Sequence, residues 1–286
     1  MRPVTDWDES DLSALIRDEV QESLNVDYKS SGGLTNNSAT RRELSKDVSA
    51  FANAEGGMLI YGIEEDKHVP TAVDAGVDRR QITKEWLEQV LKTNIHPMVD
   101  QVLIKQIPLT SKGPYAVAYV IAIGQATSRA PHQASDNKYY KRFNFESTPM
   151  EDYEVRDLMR RSIEQGKKYA AAWDLDVEVG RLISAIDVRA KFDYPTYLPR
   201  DRLKIGITDT LRSSGSAIVL LEKPIRNKFA ELINKIDIFN SAIDIADPGQ
   251  REDARLNQHL RNDLAMAAAM GAEVLEALKL ILEKEP

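Results

Sequence analysis

Glu22, Asp27, Lys29 and Glu64, with Glu65 as a near alternative to Glu64, are the side chains in this sequence that could act together on a phosphodiester. Clustered carboxylates repel one another and favour a divalent cation. Mg²⁺ or Mn²⁺ held by such oxygens activates water and stabilises the transition state of phosphodiester cleavage. Lys29 follows Asp27 by two residues, so in a strand both project from one face, and its ammonium would neutralise a phosphate. The chemistry requires that these residues meet in space. The chain has 45 acidic residues, and acids near strand ends are ordinarily solvated surface, so spacing alone leaves both readings open.

The elements that must position them follow from the hydrophobic pattern. Asp8 to Val20 reads as a helix, capped by Asp8 or Ser10, with Leu12, Leu15, Ile16 and Val20 on one face. Leu24 to Lys29 alternates as a strand, Leu24, Val26 and Tyr28 on one face and Asn25, Asp27 and Lys29 on the other. Thr40 with Glu43 fits a capping box, which places Arg41 and Arg42 in a first helical turn. Basic charge there opposes the helix dipole and suits an anion, or is simply solvated. That helix carries Leu44, Val48, Phe51 and Ala52 to a stop at Gly56-Gly57. Met58 to Ile63 then reads as a strand covered on both faces, ending in Glu64-Glu65-Asp66.

Further on, Val69 to Val77 reads as a short excursion and Asp78 to Ile95 as an amphipathic helix. Gln101 to Leu109 and Tyr115 to Ile123 read as a hairpin, and Lys138 to Phe143 as a strand. Thr148-Pro149-Met150-Glu151 fits a capping box opening a helix through about Ile163. Beyond residue 150 only Ala217 to Leu221 has any strand character. Val179, Leu182, Ile183 and Ile186 form one helical stripe, broken by Pro195 to Pro199. Ile225 to Ile243 and Arg251 to Glu283 form two more helices, separated by Asp247-Pro248-Gly249. There is no solenoid repeat and no long strict heptad. The fold class is therefore an α+β N-terminal domain, a mixed sheet with flanking helices, over 1–160, followed by an all-α domain over 161–286, a helical bundle or arm suited to assembly or partner docking.

Composition narrows the function classes. The 286 residues contain no cysteine, which excludes disulfides, thiolate zinc sites and a cysteine nucleophile and is compatible with a cytoplasmic location. No apolar run approaches the roughly 20 residues needed to span a bilayer, and Met1 to Leu15 lacks the apolar core of a signal peptide. Net charge is −7, unlike a generic nucleic-acid coat. Residues 101–150 hold a local basic excess: Lys105, Lys112, Arg129, Lys138, Lys141 and Arg142 against Asp136 and Glu146. There Lys141 and Arg142 are the phosphate-contact candidates, and one of Tyr139 and Tyr140 belongs to the core. A Walker-type loop requires Gly-x-x-x-x-Gly-Lys-Ser/Thr; Ser31-Gly32-Gly33-Leu34-Thr35-Asn36-Asn37 lacks the lysine, so no ATP site of that type is expected. The four histidines, His68, His96, His132 and His259, are scattered, and His132 reads as a surface residue.

Residues 10–160 resemble the Schlafen-type AlbA-like domain. The resemblance rests on Glu22-Ser23 before Val26-Asp27-Tyr28-Lys29, on Ala50-Phe51-Ala52-Asn53-Ala54-Glu55-Gly56-Gly57, on Met58 to Glu65, and on Tyr139-Tyr140-Lys141-Arg142 followed by Ser147-Thr148-Pro149-Met150. It implies nucleic-acid binding and, as in the Schlafen proteins, metal-dependent cleavage of structured RNA such as transfer RNA by a three-carboxylate site. Carried over by position, that site is Glu22, Asp27 and Glu64, with Glu65 alongside. Asp27 is shorter than the glutamate usual at its position, and Glu64 longer than the aspartate often found at its own. Schlafen cores pair two such lobes, and a homo-oligomer would supply the second. RNA is therefore favoured over DNA as partner, with a non-catalytic DNA- or RNA-binding regulator and an interaction scaffold working through the helical half as alternatives.

Overall fold

The computed structural model describes residues 2–127, 129–190, 204–206, 215–245 and 254–283. The chain divides into two compact units, Met1–Glu164 and Gln165–Pro286.

The first unit is built on a mixed five-stranded sheet. Helix α1 (Glu9–Arg17) starts at Asp8, whose carboxylate accepts from Ser10 N, while Asp11 returns the bond to Asp8 N. Strand β1 (Val26–Lys29) follows, then α2 (Ser38–Asn53), then β2 (Gly57–Tyr61), which pairs parallel to β1. The helix begins earlier than the Thr40/Glu43 pattern suggests. Asn37 is the cap, its side chain accepting from Thr40 N at 2.8 Å, and Thr40 is buried.

The strand expected from Met58 through the acids is in fact two strands. Gly62, at φ +106° and with Ala118 Cβ 3.1 Å from where its own Cβ would stand, turns the chain out of the sheet. Strand β3 (Ile63–Asp66) then forms a separate hairpin with β4 (Val69–Val73), so the acids lie on a hairpin and not at the end of a sheet strand. The presumed excursion is this β4 followed by β5 (Val77–Asp78). Helix α3 (Lys84–Asn94) starts later than expected: Asp78 accepts from Arg80 N in a turn, and Thr83 caps the helix through Trp86 N.

Strands β6 (Val102–Pro108) and β7 (Ala116–Ile123) form the expected hairpin. β7 is central, with β6 on one edge and β2 and β5 along the other. Leu59, Tyr119 and Ile121 face α2 and α3, whereas Ile60, Ala118 and Val120 face α1. The sheet is thus covered on both sides, which accounts for the unbroken apolar run of β2. Strands β8 (Tyr140–Phe143) and β9 (Glu146–Pro149) make a further hairpin. Pro149 therefore ends a strand and does not open a helix; α4 (Asp152–Ala190) begins three residues later.

In the second unit α4 is followed by α5 (Gly215–Leu220), α6 (Lys223–Ile245) and α7 (Ala254–Leu282). Ala217 to Leu220 is helical, contrary to its strand-like composition, and Leu221 is buried in the helical core, so packing outweighs local propensity there. Ala172, Leu175, Val179, Leu182 and Ile186 of α4 pack with Phe229, Leu232, Ile236 and Phe239 of α6 and with Leu264, Val274 and Leu278 of α7. Lys228–Glu273 and Lys235–Asp263 ion pairs tie α6 to α7 at 2.7 and 2.6 Å. The breaks read at Pro195 to Pro199 and at Asp247-Pro248-Gly249 lie outside the described residues. No described helix is long and apolar enough to cross a membrane.

The glycine stop after α2 has a steric cause. Gly56 is left-handed, and a Cβ there would stand 2.6 Å from Ile123 O; at Gly57 it would stand 2.5 Å from Asn25 O and 2.7 Å from the Phe51 ring. The Asn25 carbonyl on one side and the buried Phe51 ring on the other leave a Cβ at Gly57 no room, so Gly57→Ala should cost about 2 kcal/mol or more of stability. Asn37→Ala, which removes only a cap, should cost about 1 kcal/mol. Urea unfolding at equilibrium measures both, and equal losses would contradict the steric account.

Candidate active-site cleft

An open cleft of about 500 Å³ in the first unit is lined by Glu22, Asp27, Lys29, Glu64, Glu65 and His68, together with Tyr28, Ser30, Thr71 and Phe145. Its floor is the segment leading into β1. Glu22 is buried, and its Oε1 accepts from Tyr28 N at 2.9 Å. Its Oε2 lies 2.6 Å from His68 Nδ1, and its backbone N donates to His68 O at 2.8 Å. Burial, with Glu22 adding to it, pushes the neighbouring Tyr28 hydroxyl up to about 12.

His68 arrives through the β3–β4 hairpin. Its two-residue turn is Lys67-His68, with φ +50° and +68°. That is the doubly left-handed turn whose twist suits a hairpin, usually formed by Asn-Gly. His68 N donates to Glu65 Oε2 at 2.6 Å, and the imidazole stacks on Phe145 at 4.2 Å between centroids. The turn, the carboxylate and the aromatic ring fix the imidazole from three sides. Ligand atoms of Glu22, Glu65 and His68 lie within 4.8 Å of one another, a donor group that could hold a metal ion.

Asp27 belongs to a different grouping. It is 2% exposed, and its carboxylate is met by two cations. Lys29 Nζ lies 2.9 Å from Oδ2, outside hydrogen-bond direction, and Arg142 Nη2 lies 3.6 Å from Oδ1. Arg142 is also enclosed, its guanidinium 4.6 Å above the Phe51 ring. Its Nη1 and Nη2 reach Ser147 Oγ and Ser23 O, both at 3.4 Å. Asp47 of α2 completes the set, accepting from Ser147 Oγ at 2.8 Å. Burial lowers the proton affinity of Lys29, but Asp27 and Asp47 outweigh it, and the net shift is upward.

Of the residues singled out in the sequence, Glu22, Asp27, Lys29, Glu64 and Glu65 therefore share one cleft. Glu22 and Glu65 fall in the compact donor group; Asp27 and Glu64 do not. Arg41 and Arg42 are exposed on α2 and do not line the cleft. Lys141 pairs with Glu154, and Arg142 is interior, so these two do not form an exposed cationic pair. Tyr140 is the core tyrosine. His132 is buried against Pro97 O and not on the surface. Asn53 clamps His132 and Tyr140 through their backbones. Sequence reasoning missed His68, Phe145 and Asp47. For His68 the available signal was a two-residue gap between short β-like runs, but Lys-His is not a turn pair that announces a hairpin.

Residues 22–151, a little under half of the chain and all within the first unit, match the family model described as Schlafen, AlbA_2. No curated protein matches the chain. Among solved structures, the DIP2311 protein from Corynebacterium diphtheriae is 19% identical over 54% of this chain, with a TM-score of 0.35. The match covers 32% of that protein, so this chain spans about a third of its length.

Two outcomes follow from the interior charges. Removing the guanidinium in Arg142→Met strands the Asp27 carboxylate beside Lys29 alone, and should cost about 3 kcal/mol or more in urea unfolding. Burial pushes the Asp47 carboxyl above its ordinary 3.8, with Asp27 adding and Lys29, Lys46 and Ser147 opposing. The folded state thus holds this proton more tightly than the unfolded chain. The resulting stability is complete below about pH 4 and is lost as pH rises through the raised native value. In Asp47→Asn that part of the loss should vanish, seen as a flatter dependence of the urea midpoint on pH; an unchanged slope would show that Asp47 is not the group responsible.

Proposed function

We propose that the first unit binds nucleic acid, RNA ahead of DNA, and that its cleft supports metal-dependent hydrolysis of RNA. The observation that carries this reading is the donor group Glu22, Glu65 and His68 beside the Lys29 ammonium in a cleft of a Schlafen, AlbA_2 domain. Two carboxylates and one imidazole suit a divalent ion that accepts both oxygen and nitrogen, Mn²⁺ ahead of Mg²⁺. Such an ion supplies Lewis-acid stabilisation and a water of lowered pKa. Glu22 and His68, now bonded to each other, and Glu65 would hold it. Lys29, 39% exposed at its side chain, faces the cleft and offsets phosphate charge. Phe145, stacked on His68, fixes the imidazole and closes one side of the cleft to water. Arg41 and Arg42, exposed on α2, extend the cationic surface for the nucleic-acid backbone. A homo-oligomer assembled through the helical unit would present two such clefts to one folded RNA.

A second reading is favoured by one observation. Asp27, expected as a ligand, is neutralised by Lys29 and Arg142. If Asp27 is needed for chemistry, the domain is a non-catalytic nucleic-acid-binding regulator.

Transfer RNA incubated with the protein and Mn²⁺ or Mg²⁺ decides between them. Cleavage should be lost in Glu22→Gln and reduced at least about tenfold in His68→Ala, and Mn²⁺ binding by calorimetry should weaken in both. Cleavage unaffected by Glu22→Gln would refute the assigned site; binding without cleavage under either metal would leave the regulator reading. Arg41→Ala/Arg42→Ala should weaken RNA binding and lower the slope of log K against log salt by roughly 1 to 2.

A further inference from the structure

Among the described residues of the second unit, one face of α4 has no packing partner. Ala172, Leu175, Val179, Leu182 and Ile186 are buried against α6 and α7. On the opposite side of the helix run Gly166, Ala170, Trp173, Val177, Gly180 and Ser184, at alternating spacings of four and three, the period of a coiled-coil seam. Trp173 is 57% exposed and Val177 40%.

The glycines give this face its meaning. Glycine weakens a helix interior, so a helical glycine calls for a reason. Gly271 of α7 has one: a Cβ there would stand 2.8 Å from Ile183 Cγ1 of α4. Gly166 and Gly180 have none among the described residues, since a Cβ at either would meet nothing within 4 Å. Gly180 is thus an open notch, one heptad from an exposed indole on the same seam. In-register parallel pairing of two such helices would set indole against indole and gap against gap. Antiparallel pairing sets each indole over the other copy's notch.

Charge agrees with that orientation. Asp174 and Arg181 lie on one flank of the seam, also a heptad apart. Arg181 pairs with Glu178 at 2.7 Å yet keeps its side chain 70% exposed. In the antiparallel arrangement Asp174 of each copy approaches Arg181 of the other, twice by symmetry.

We propose that α4 is a self-association helix on which two copies of this chain pair antiparallel along Gly166–Ser184, each Trp173 seated against the other copy's Gly180. This gives the expected homo-oligomer a surface, and it rests on the helical unit alone, independent of any chemistry in the cleft.

The full chain should sediment as a dimer over a wide dilution range. Val177→Glu, a change at an exposed position, should raise the dimer dissociation constant at least about tenfold with far-UV circular dichroism unchanged. Asp174→Arg should weaken the dimer, and Asp174→Arg/Arg181→Asp should restore it. Because the chain has no cysteine, single introduced thiols report the orientation. Val177→Cys, near the two-fold axis, should cross-link to itself on oxidation, and Gly166→Cys, far from it, should not. A monomeric wild type, or a dimer indifferent to Val177→Glu and Asp174→Arg, overturns the proposal. Self-cross-linking of Gly166→Cys overturns the antiparallel arrangement.

Discussion

Burying the Asp27 carboxylate calls for positive charge beside it, and meeting that requirement organises the first unit. Lys29 comes from the same strand, but Arg142 must be brought from more than a hundred residues away. It arrives on the β8–β9 hairpin, which packs over α2, where the Phe51 ring supports the guanidinium and Ser147 links it to Asp47. One ionic contact thereby ties β1, α2 and the hairpin together. The same hairpin carries Phe145 at its turn and lays it on His68. The wall of the cleft is placed by the charge balance beneath it.

This division of labour separates two carboxylates that look equivalent in the sequence. Asp27 sits among cations and serves to hold the unit together. Glu22, also buried, is bonded by an imidazole and a backbone amide and lines the cleft. Glu65 stands beside it on a hairpin that leaves the sheet at Gly62. The donor atoms of Glu22 and Glu65 stand close enough together to hold a cation, whereas those of Asp27 face Lys29 and Arg142.

The sheet, both flanking helices and the helical second half were legible because each has a strong periodicity: the two-sided apolar run of β2, the β6–β7 hairpin, the 3.6-residue stripes of α2 and α6. Glu22, Asp27, Lys29, Glu64 and Glu65 could be picked out by residue type and do share a cleft. What could not be read was which of them pair with which. That depended on Gly62 turning the chain, on a Lys-His turn with two left-handed residues, and on Arg142 pointing inward although its neighbour Lys141 stays near the surface. Alternation along β8 carries no sign to say which face is interior. The helix boundary at Thr148 to Glu151 was misplaced for a related reason: the local capping pattern was real as a sequence, but strand pairing with Tyr140–Phe143 took precedence.

The Lys67-His68 turn has a consequence for how this domain can vary. Only a few residue types besides glycine accept the left-handed backbone that His68 occupies, chiefly asparagine and aspartate. Each brings a side-chain oxygen in place of a ring nitrogen. The hairpin thus behaves as a socket: the main chain fixes where the side chain stands, and the polar atom it offers to the cleft can change from nitrogen to oxygen by one substitution. The polar character of the cleft wall can therefore change without the fold having to be rebuilt.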